Sequence, residues 1–265
     1  MGPLPRTTRA GRPVWNAADP EMAAVLDWWT ANARELPWRA TRERYAVWVA
    51  EVMSIQTTVS RSAVAWTRWM ERWPTVEALA SASLADVLAE WQGLGYPRRA
   101  RDLHRSATIV VASGWPDDLT ELPGVGRYVA DAVRCFALEE PVLPRDVNVT
   151  RVLRRRFPGG IDTSDDPWRA GQAIMEFGQR ICRARPRCQA CPVHAGCGGP
   201  EPAAARVIHR GRPFEGSLRQ RRGLLLRRVI AEGSVVVDVE DREVALGLAE
   251  DGLAVLTVGV LLAPR

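Results

Sequence analysis

Two carboxylates stand in surroundings that could give them chemistry. Glu51 lies within Tyr45-Ala-Val-Trp-Val-Ala-Glu-Val-Met-Ser-Ile-Gln-Thr57. On a helix it falls three residues after Trp48 and four before Ile55, beside Val52 and inside the apolar arc. A carboxyl there is partly desolvated, so its pKa rises and a proton stays available near neutral pH for general-acid work. The plainer alternative is a rim glutamate paired with one of the many arginines. Asp146 lies in Leu143-Pro-Arg-Asp-Val-Asn-Val-Thr-Arg-Val-Leu153, after a proline-punctuated loop and before an apolar helix, which is where an N-cap belongs. A loop carboxylate can cap a helix and also face a cleft. Two carboxylates across a cleft suit cleavage of a glycosidic bond, one protonating the leaving group and the other stabilising or bonding to the oxocarbenium-like sugar.

Two further segments carry chemistry. In Leu122-Pro-Gly-Val-Gly-Arg-Tyr128, Gly124, Val125, Gly126 and Arg127 form the tip of a turn that opens a helical run. Two glycines one residue apart permit a tight turn whose N–H groups suit a phosphate, although an ordinary helix-helix turn uses glycines too. Phosphate bound there would position DNA without reading its sequence. Cys182, Cys188, Cys191 and Cys197 fall within sixteen residues, separated by five, two and five. Thiols this close suit a metal or cluster better than a disulfide framework in a cytosolic protein. Their spacing fits a [4Fe–4S] cluster or a zinc ion without choosing between them. Arg180, Arg183, Arg185 and Arg187 flank the first of these cysteines and make the loop a basic patch for phosphates.

The elements that must position these residues are mostly helical. Residues 1–18 read as a disordered basic tail. From Pro20 to about Pro200 apolar residues recur at three and four, and prolines and glycines divide the pattern into nine or ten short helices without a convincing strand. Beyond Pro200, Leu218–Ala231 reads as a basic helix, Ser234–Val239 and Leu253–Leu262 as strands, and Arg242–Glu250 as a helix between them, a small α+β module resembling a winged helix. Trp15, Trp28, Trp29, Trp66, Trp69, Trp73 and Trp91 fall mostly at helical spacing and read as core, and Cys135 as a small buried hydrophobe. The net charge of +5 favours a polyanionic partner. All 36 basic residues are arginine, so no side-chain amine is available for a Schiff base. No apolar run approaches the roughly 20 residues that span a bilayer, and the start lacks a signal-peptide core, so a cytoplasmic protein without a membrane partner is expected.

Taken in order, Leu36-Pro-Trp-Arg39, Glu51-Val-Met, Gln56-Thr57, Gly93-Leu-Gly-Tyr96, Leu122–Tyr128, Asp146 with Asn148 and Arg151-Val-Leu153, and the cysteine loop resemble the helix-hairpin-helix DNA glycosylases of the endonuclease III and MutY type over residues 20–199. The resemblance implies an all-α, two-lobed fold. Residues 19–43 and 142–200 would form the iron-sulfur lobe, 44–141 a six-helix barrel lobe with the hairpin, and 201–265 the appended module. It implies a monomeric adenine glycosylase in base excision repair, acting on double-stranded DNA with a mispaired or damaged base and carrying a [4Fe–4S] cluster. Glu51 would protonate the flipped adenine and Asp146 would stabilise the sugar cation, with Asn148 and Tyr128 orienting carboxylates and sugar. Trp38 and Arg39 match a segment near the base pocket, and Gln56, Thr57, Leu94 and Tyr96 match positions that probe the partner strand. The base must leave the stack first, so the cost of unpairing enters substrate choice. Lyase members place a lysine where this chain has Tyr128, which implies base removal without efficient strand cleavage.

Several residues depart from the family pattern. Ile55 stands for the first of two glutamines, Val147 for a glycine after the aspartate, and the first cysteine gap is one residue short. The tail after Pro200 is too short for the Nudix-like domain with which larger members recognise 8-oxoguanine. A thymine or uracil mismatch glycosylase of the same superfamily and a DNA-binding protein without catalysis are the competing readings.

Overall fold

The computed structural model describes residues 16–199 and 214–264, so most of the segment expected to be a disordered tail lies outside it. Up to residue 199 the described residues form nine α-helices: α1 (Pro20–Asn32), α2 (Arg44–Ser54), α3 (Val59–Arg72), α4 (Val76–Ala80), α5 (Leu84–Glu90), α6 (Arg98–Ser113), α7 (Arg127–Phe136), α8 (Val147–Arg156) and α9 (Pro167–Arg180). Prolines open α1 and α9, where a missing N–H costs no helical bond. Thr75, Ser83, Asp146 and Asp166 cap α4, α5, α8 and α9 through their side-chain oxygens. No helix among the described residues is long and apolar enough to cross a membrane.

The chain divides into two compact units, Met1–Trp48 with Gly126–Val207 and Val49–Val125 with Ile208–Arg265. In the first, α1, α7 and α8 all pack on α9. Met22, Val25, Leu26 and Trp29 of α1 meet Val149, Val152 and Phe157 and the Ala173, Ile174 and Phe177 face of α9. Cys135 is fully buried beside Val47, Ala132 and Phe136, as its apolar setting predicts, and its thiol donates to the Pro167 carbonyl oxygen.

In the second unit α4 and α5 pack on α6, and Trp69, Trp73 and Trp91 form an edge-to-face cluster with ring centroids 4.8 and 5.7 Å apart. All three are buried, as their helical spacing implies. The C-terminal residues belong to this unit as α10 (Leu218–Glu232), β1 (Ser234–Val236), α11 (Arg242–Glu250), β2 (Val255–Thr257) and β3 (Val260–Leu262). The strands form an antiparallel sheet in the order β1-β3-β2, with Leu261 opposite both Val235 and Leu256. The single strand expected over Leu253–Leu262 is thus a hairpin, because Val258 and Gly259 both take positive φ, as a tight hairpin turn requires. Helix α10 packs on α5 and α11. Asp251, only 7% exposed, receives Arg98 and Arg222, and Arg101 binds its backbone carbonyl.

One buried carboxylate organises the polar interior of the first unit. Glu176 on α9 is 1% exposed. It accepts from Arg34 Nε at 2.8 Å, Arg39 Nη2 at 2.7 Å, Arg180 Nη1 at 3.1 Å and Trp29 Nε1 at 3.2 Å. Burial pushes its carboxyl up, but the hydrogen bond and charge of Arg39, with Arg34 and Arg180, outweigh that push and hold it below the ordinary carboxylate range. A carboxyl lowered on folding stabilises fully above its ordinary value of 4.5, and the contribution is lost as pH falls through the lower folded value. Glu176→Gln is therefore expected to cost roughly 3 kcal/mol at neutral pH, because it strands buried guanidinium charge. Thermal unfolding from pH 7 into acid should show the gap to wild type closing; a constant gap would remove ionisation from the account.

Candidate active site

In the second unit Glu51 is 6% exposed, on the buried face of α2 with Val52 and Met53. The helix ends at Ser54, and the chain turns through Gln56, a non-glycine residue with φ 52°. A second turn, Gly93-Leu-Gly-Tyr96, has φ of 89° at Gly93, 73° at Gly95 and 50° at Tyr96. Left-handed backbone costs a non-glycine residue about 1–3 kcal/mol and gathers at sites where geometry matters more than stability. Leu94 is buried, whereas Tyr96 is 52% exposed. The Thr57 hydroxyl donates to the Ile55 oxygen at 3.2 Å and the Leu94 oxygen at 3.4 Å, so the structure brings the Gln56-Thr57 and Leu94–Tyr96 residues together.

The hairpin turn closes on α6. Val125 N–H donates to the Leu122 oxygen at 3.1 Å, and Ser106 Oγ to the Pro123 oxygen at 3.0 Å. Gly124 has φ 73°, and a Cβ there would lie 2.8 Å from Asp102 Cβ, so both conformation and space require glycine. Gly124 and Gly126 are exposed, and Gly126 caps α7, whose first N–H groups are open to an anion.

In the first unit Asp146 fills the expected N-cap position and does more than cap. Its Oδ1 accepts from Asn148 N at 2.8 Å and Val149 N at 2.7 Å, while Oδ2 accepts from Asn148 Nδ2 at 2.6 Å. Arg151 Nη2 donates to Asn148 Oδ1 at 2.6 Å and to the Gly178 oxygen at 2.9 Å, and Arg151 Nε donates to the Cys182 oxygen at 2.7 Å. A polar chain thus runs from the carboxylate through Asn148 and Arg151 to the first cysteine. The role of Arg151 is not legible in sequence, since apart from Asn148 Oδ1 its acceptors are backbone oxygens that any residue supplies. Tyr128 is half-buried, its hydroxyl 3.8 Å from Met175 Sδ. Trp38 is buried, and Arg39 donates to Gln172, the Arg34 carbonyl and Glu176, which commits it to the polar interior of this unit.

Cys182, Cys188, Cys191 and Cys197 line one cavity of about 230 Å³. Burial pushes the Cys191 thiol up; the other three cysteines push the same way, against a backbone hydrogen bond from Val193. No three His, Cys, Asp or Glu groups among the described residues are drawn together tightly enough for a single metal ion. Four thiols lining one cavity are a donor set that suits an iron-sulfur cluster or a zinc ion.

Residues 49–177 match the HhH-GPD superfamily of base excision DNA repair proteins. An adenine DNA glycosylase of Mycolicibacterium smegmatis is 40% identical over 233 residues, covering 76% of this chain and 78% of that protein. The adenine DNA glycosylase of Homo sapiens is 39% identical over 208 residues, covering 66% of this chain and 38% of its own. Among solved structures, a thermostable thymine-DNA glycosylase superposes with a TM-score of 0.59 at 23% identity, covering 67% of this chain and 93% of that one. Endonuclease III in a trapped covalent intermediate with DNA gives 0.58 at 22% identity, covering 67% and 92%. At these identities the two structures establish a shared fold.

Close packing of α8 on α9 sets the position of Asn148. A Cβ at Gly178 would fall 2.9 Å from Asn148 O and 3.0 Å from its Cβ. Gly178→Ala should therefore push the start of α8 away, loosening the Asn148–Asp146 bond at a cost of about 2 kcal/mol in stability. Denaturant unfolding and the Asn148 side-chain amide resonances read both effects; an unmoved amide would show that α9 does not place it.

Proposed function

Because this chain belongs to the adenine DNA glycosylase family, within the helix-hairpin-helix superfamily of base excision repair proteins, we propose that it hydrolyses the N-glycosidic bond of adenine paired with 8-oxoguanine or guanine in duplex DNA. What carries the reading is that a chain so similar to adenine glycosylases keeps both carboxylates in distinct settings. Glu51 is buried on an apolar helix face, and Asp146 has both oxygens held by N–H donors.

These settings suit different halves of one reaction. Glu51, a carboxyl shielded from water, fits the role of giving a proton to a ring nitrogen of the everted adenine. The glycosidic electron pair leaves with the base, and water supplies the oxygen of the new C1′–O bond. Asp146, fixed by Asn148 at a helix N-terminus, is a carboxylate suited to stabilise the cationic sugar. Tyr128 occupies the position of the lyase lysine, so the product is an intact strand with an abasic site. The exposed hairpin amides fit a DNA phosphate, while Gln56, Thr57, Leu94 and Tyr96 fit the partner strand.

For the cysteine loop we infer a [4Fe–4S] cluster held by Cys182, Cys188, Cys191 and Cys197. When bound, it supplies a structural cross-link and no step of hydrolysis. The neighbouring Arg183, Arg185 and Arg187 would then be held as a phosphate-binding surface.

Duplexes bearing A opposite 8-oxoguanine, A opposite G, T opposite G and U opposite G, followed by alkaline cleavage of abasic sites, test the reading. Product from the two adenine duplexes alone is expected. Product from only the T or U duplexes would replace adenine by a pyrimidine substrate, and tight binding without any product would leave a DNA-binding protein. Glu51→Gln should lower adenine release about 10²–10⁴-fold with DNA affinity retained. Iron and acid-labile sulfide in near-equal amounts, about four of each per chain, are expected from the cluster; zinc in their place would overturn it.

A further inference from the structure

We infer that Arg99 is a positioning residue that locks the end of the Glu51 helix to the Gly93–Tyr96 turn, coupling the reading of the partner strand to adenine release. The inference rests on the adenine reading above. Arg99, near the start of α6, places its guanidinium between two segments that are distant in sequence. Nη1 donates to the Val52 oxygen at 2.7 Å and the Ile55 oxygen at 2.8 Å, and Nη2 to the Leu94 oxygen at 3.0 Å and the Gly95 oxygen at 3.1 Å. Val52 follows Glu51 directly, and its carbonyl belongs to the last helical turn, where intrahelical donors run out.

Two of these carbonyls have a special place. Ile55 and Gly95 directly precede Gln56 and Tyr96, the non-glycine residues at φ 52° and 50°. One guanidinium therefore fixes the peptide plane entering each strained residue. Its plane also lies by two rings, 5.2 Å from the Trp91 centroid and 5.6 Å from that of Tyr96, and Trp91 Nε1 adds a bond to the Gly95 oxygen at 3.0 Å. Lysine has the charge but not the planar fork, and cannot serve both pairs of carbonyls in the same geometry. A displacement of Tyr96 by the partner strand is thus passed through four hydrogen bonds to the turn that ends the Glu51 helix.

A double-mutant cycle of Arg99→Lys and Tyr96→Ala, read by single-turnover adenine release opposite 8-oxoguanine and opposite guanine, separates coupling from bracing. Arg99→Lys is expected to slow release opposite 8-oxoguanine about tenfold, to slow the guanine duplex less, and to be non-additive with Tyr96→Ala. Rate losses that multiply, with the ratio between the two duplexes unchanged, would reduce Arg99 to a brace and overturn the inference. If Arg99→Lys fails to fold, Trp91→Phe removes one bond of the same seam, and its ratio of rates is read in the same way. Deuterium exchange gives an answer independent of activity: residues 52–57 and 93–98 should lose protection together in Arg99→Lys, and loss in one segment alone would overturn the seam. A wild-type protein that releases no adenine, with joint deprotection still seen, would sink the adenine reading while supporting the lock.

Discussion

The arrangement of both candidate carboxylates depends on guanidinium groups bound to backbone carbonyls at helix ends. In one unit Arg99 holds the Val52 and Ile55 carbonyls together with those of Leu94 and Gly95. In the other, Arg151 binds the Gly178 and Cys182 carbonyls, and Arg155 those of Arg183 and Ala184. Carbonyl oxygens bring no counter-charge, so the desolvation of the cation is offset only if its fork is well filled. Burial lowers the Arg99 pKa from its ordinary range, and its Nε finds no hydrogen-bond partner among the described residues. A cation kept at that cost implies that the geometry it enforces is needed.

Arg151 also reaches Asp146 through Asn148, which lets the carboxylate cap a helix and serve the chemistry proposed for it. One oxygen satisfies two N–H groups at the start of α8, and the other is aimed by Asn148, which Arg151 holds in turn. Glu51 sits differently, buried along its helix beside Val52 and Met53. The roles proposed for the two carboxyls rest on where each sits on its helix, and only then on the residue types around it.

Much of this was legible in the sequence. Apolar spacing of three and four, broken by Pro37, Pro74, Gly114 and Pro158, marked the helical body, and the proline loop before an apolar run marked the cap at Asp146. Four close cysteines announced their shared cavity. Other features carry no residue-level signal. Gln56 and Tyr96 are left-handed without being glycine, and Val258 is a β-branched residue at φ 45°, so the hairpin inside Leu253–Leu262 has only Gly259 to betray it. Arginines bound to carbonyls are equally silent, because every residue offers that acceptor. The all-arginine composition gave no hint that Arg99, Arg151 and Arg155 hold structural forks.

The C-terminal module is joined to the rest of its unit partly through charge, and that has consequences for the Tyr96 turn. The hydrogen bond from Arg98 holds the Asp251 carboxyl below its ordinary range against the push of burial, and Arg222 adds to the effect. Arg98 is two residues from Tyr96 and Arg222 lies on α10, so one carboxylate links the module to the base of the turn. Apolar packing alone, α10 on α5, would permit small slides at little cost, since hydrophobic contact is non-directional. An acid held by two guanidinium groups at once adds directional contacts that resist them. The module therefore fixes the entry to the turn from one side while Arg99 fixes its carbonyls from the other. Tyr96 is left exposed on a backbone with little freedom to yield, the rigidity that the proposed reading of a partner strand calls for.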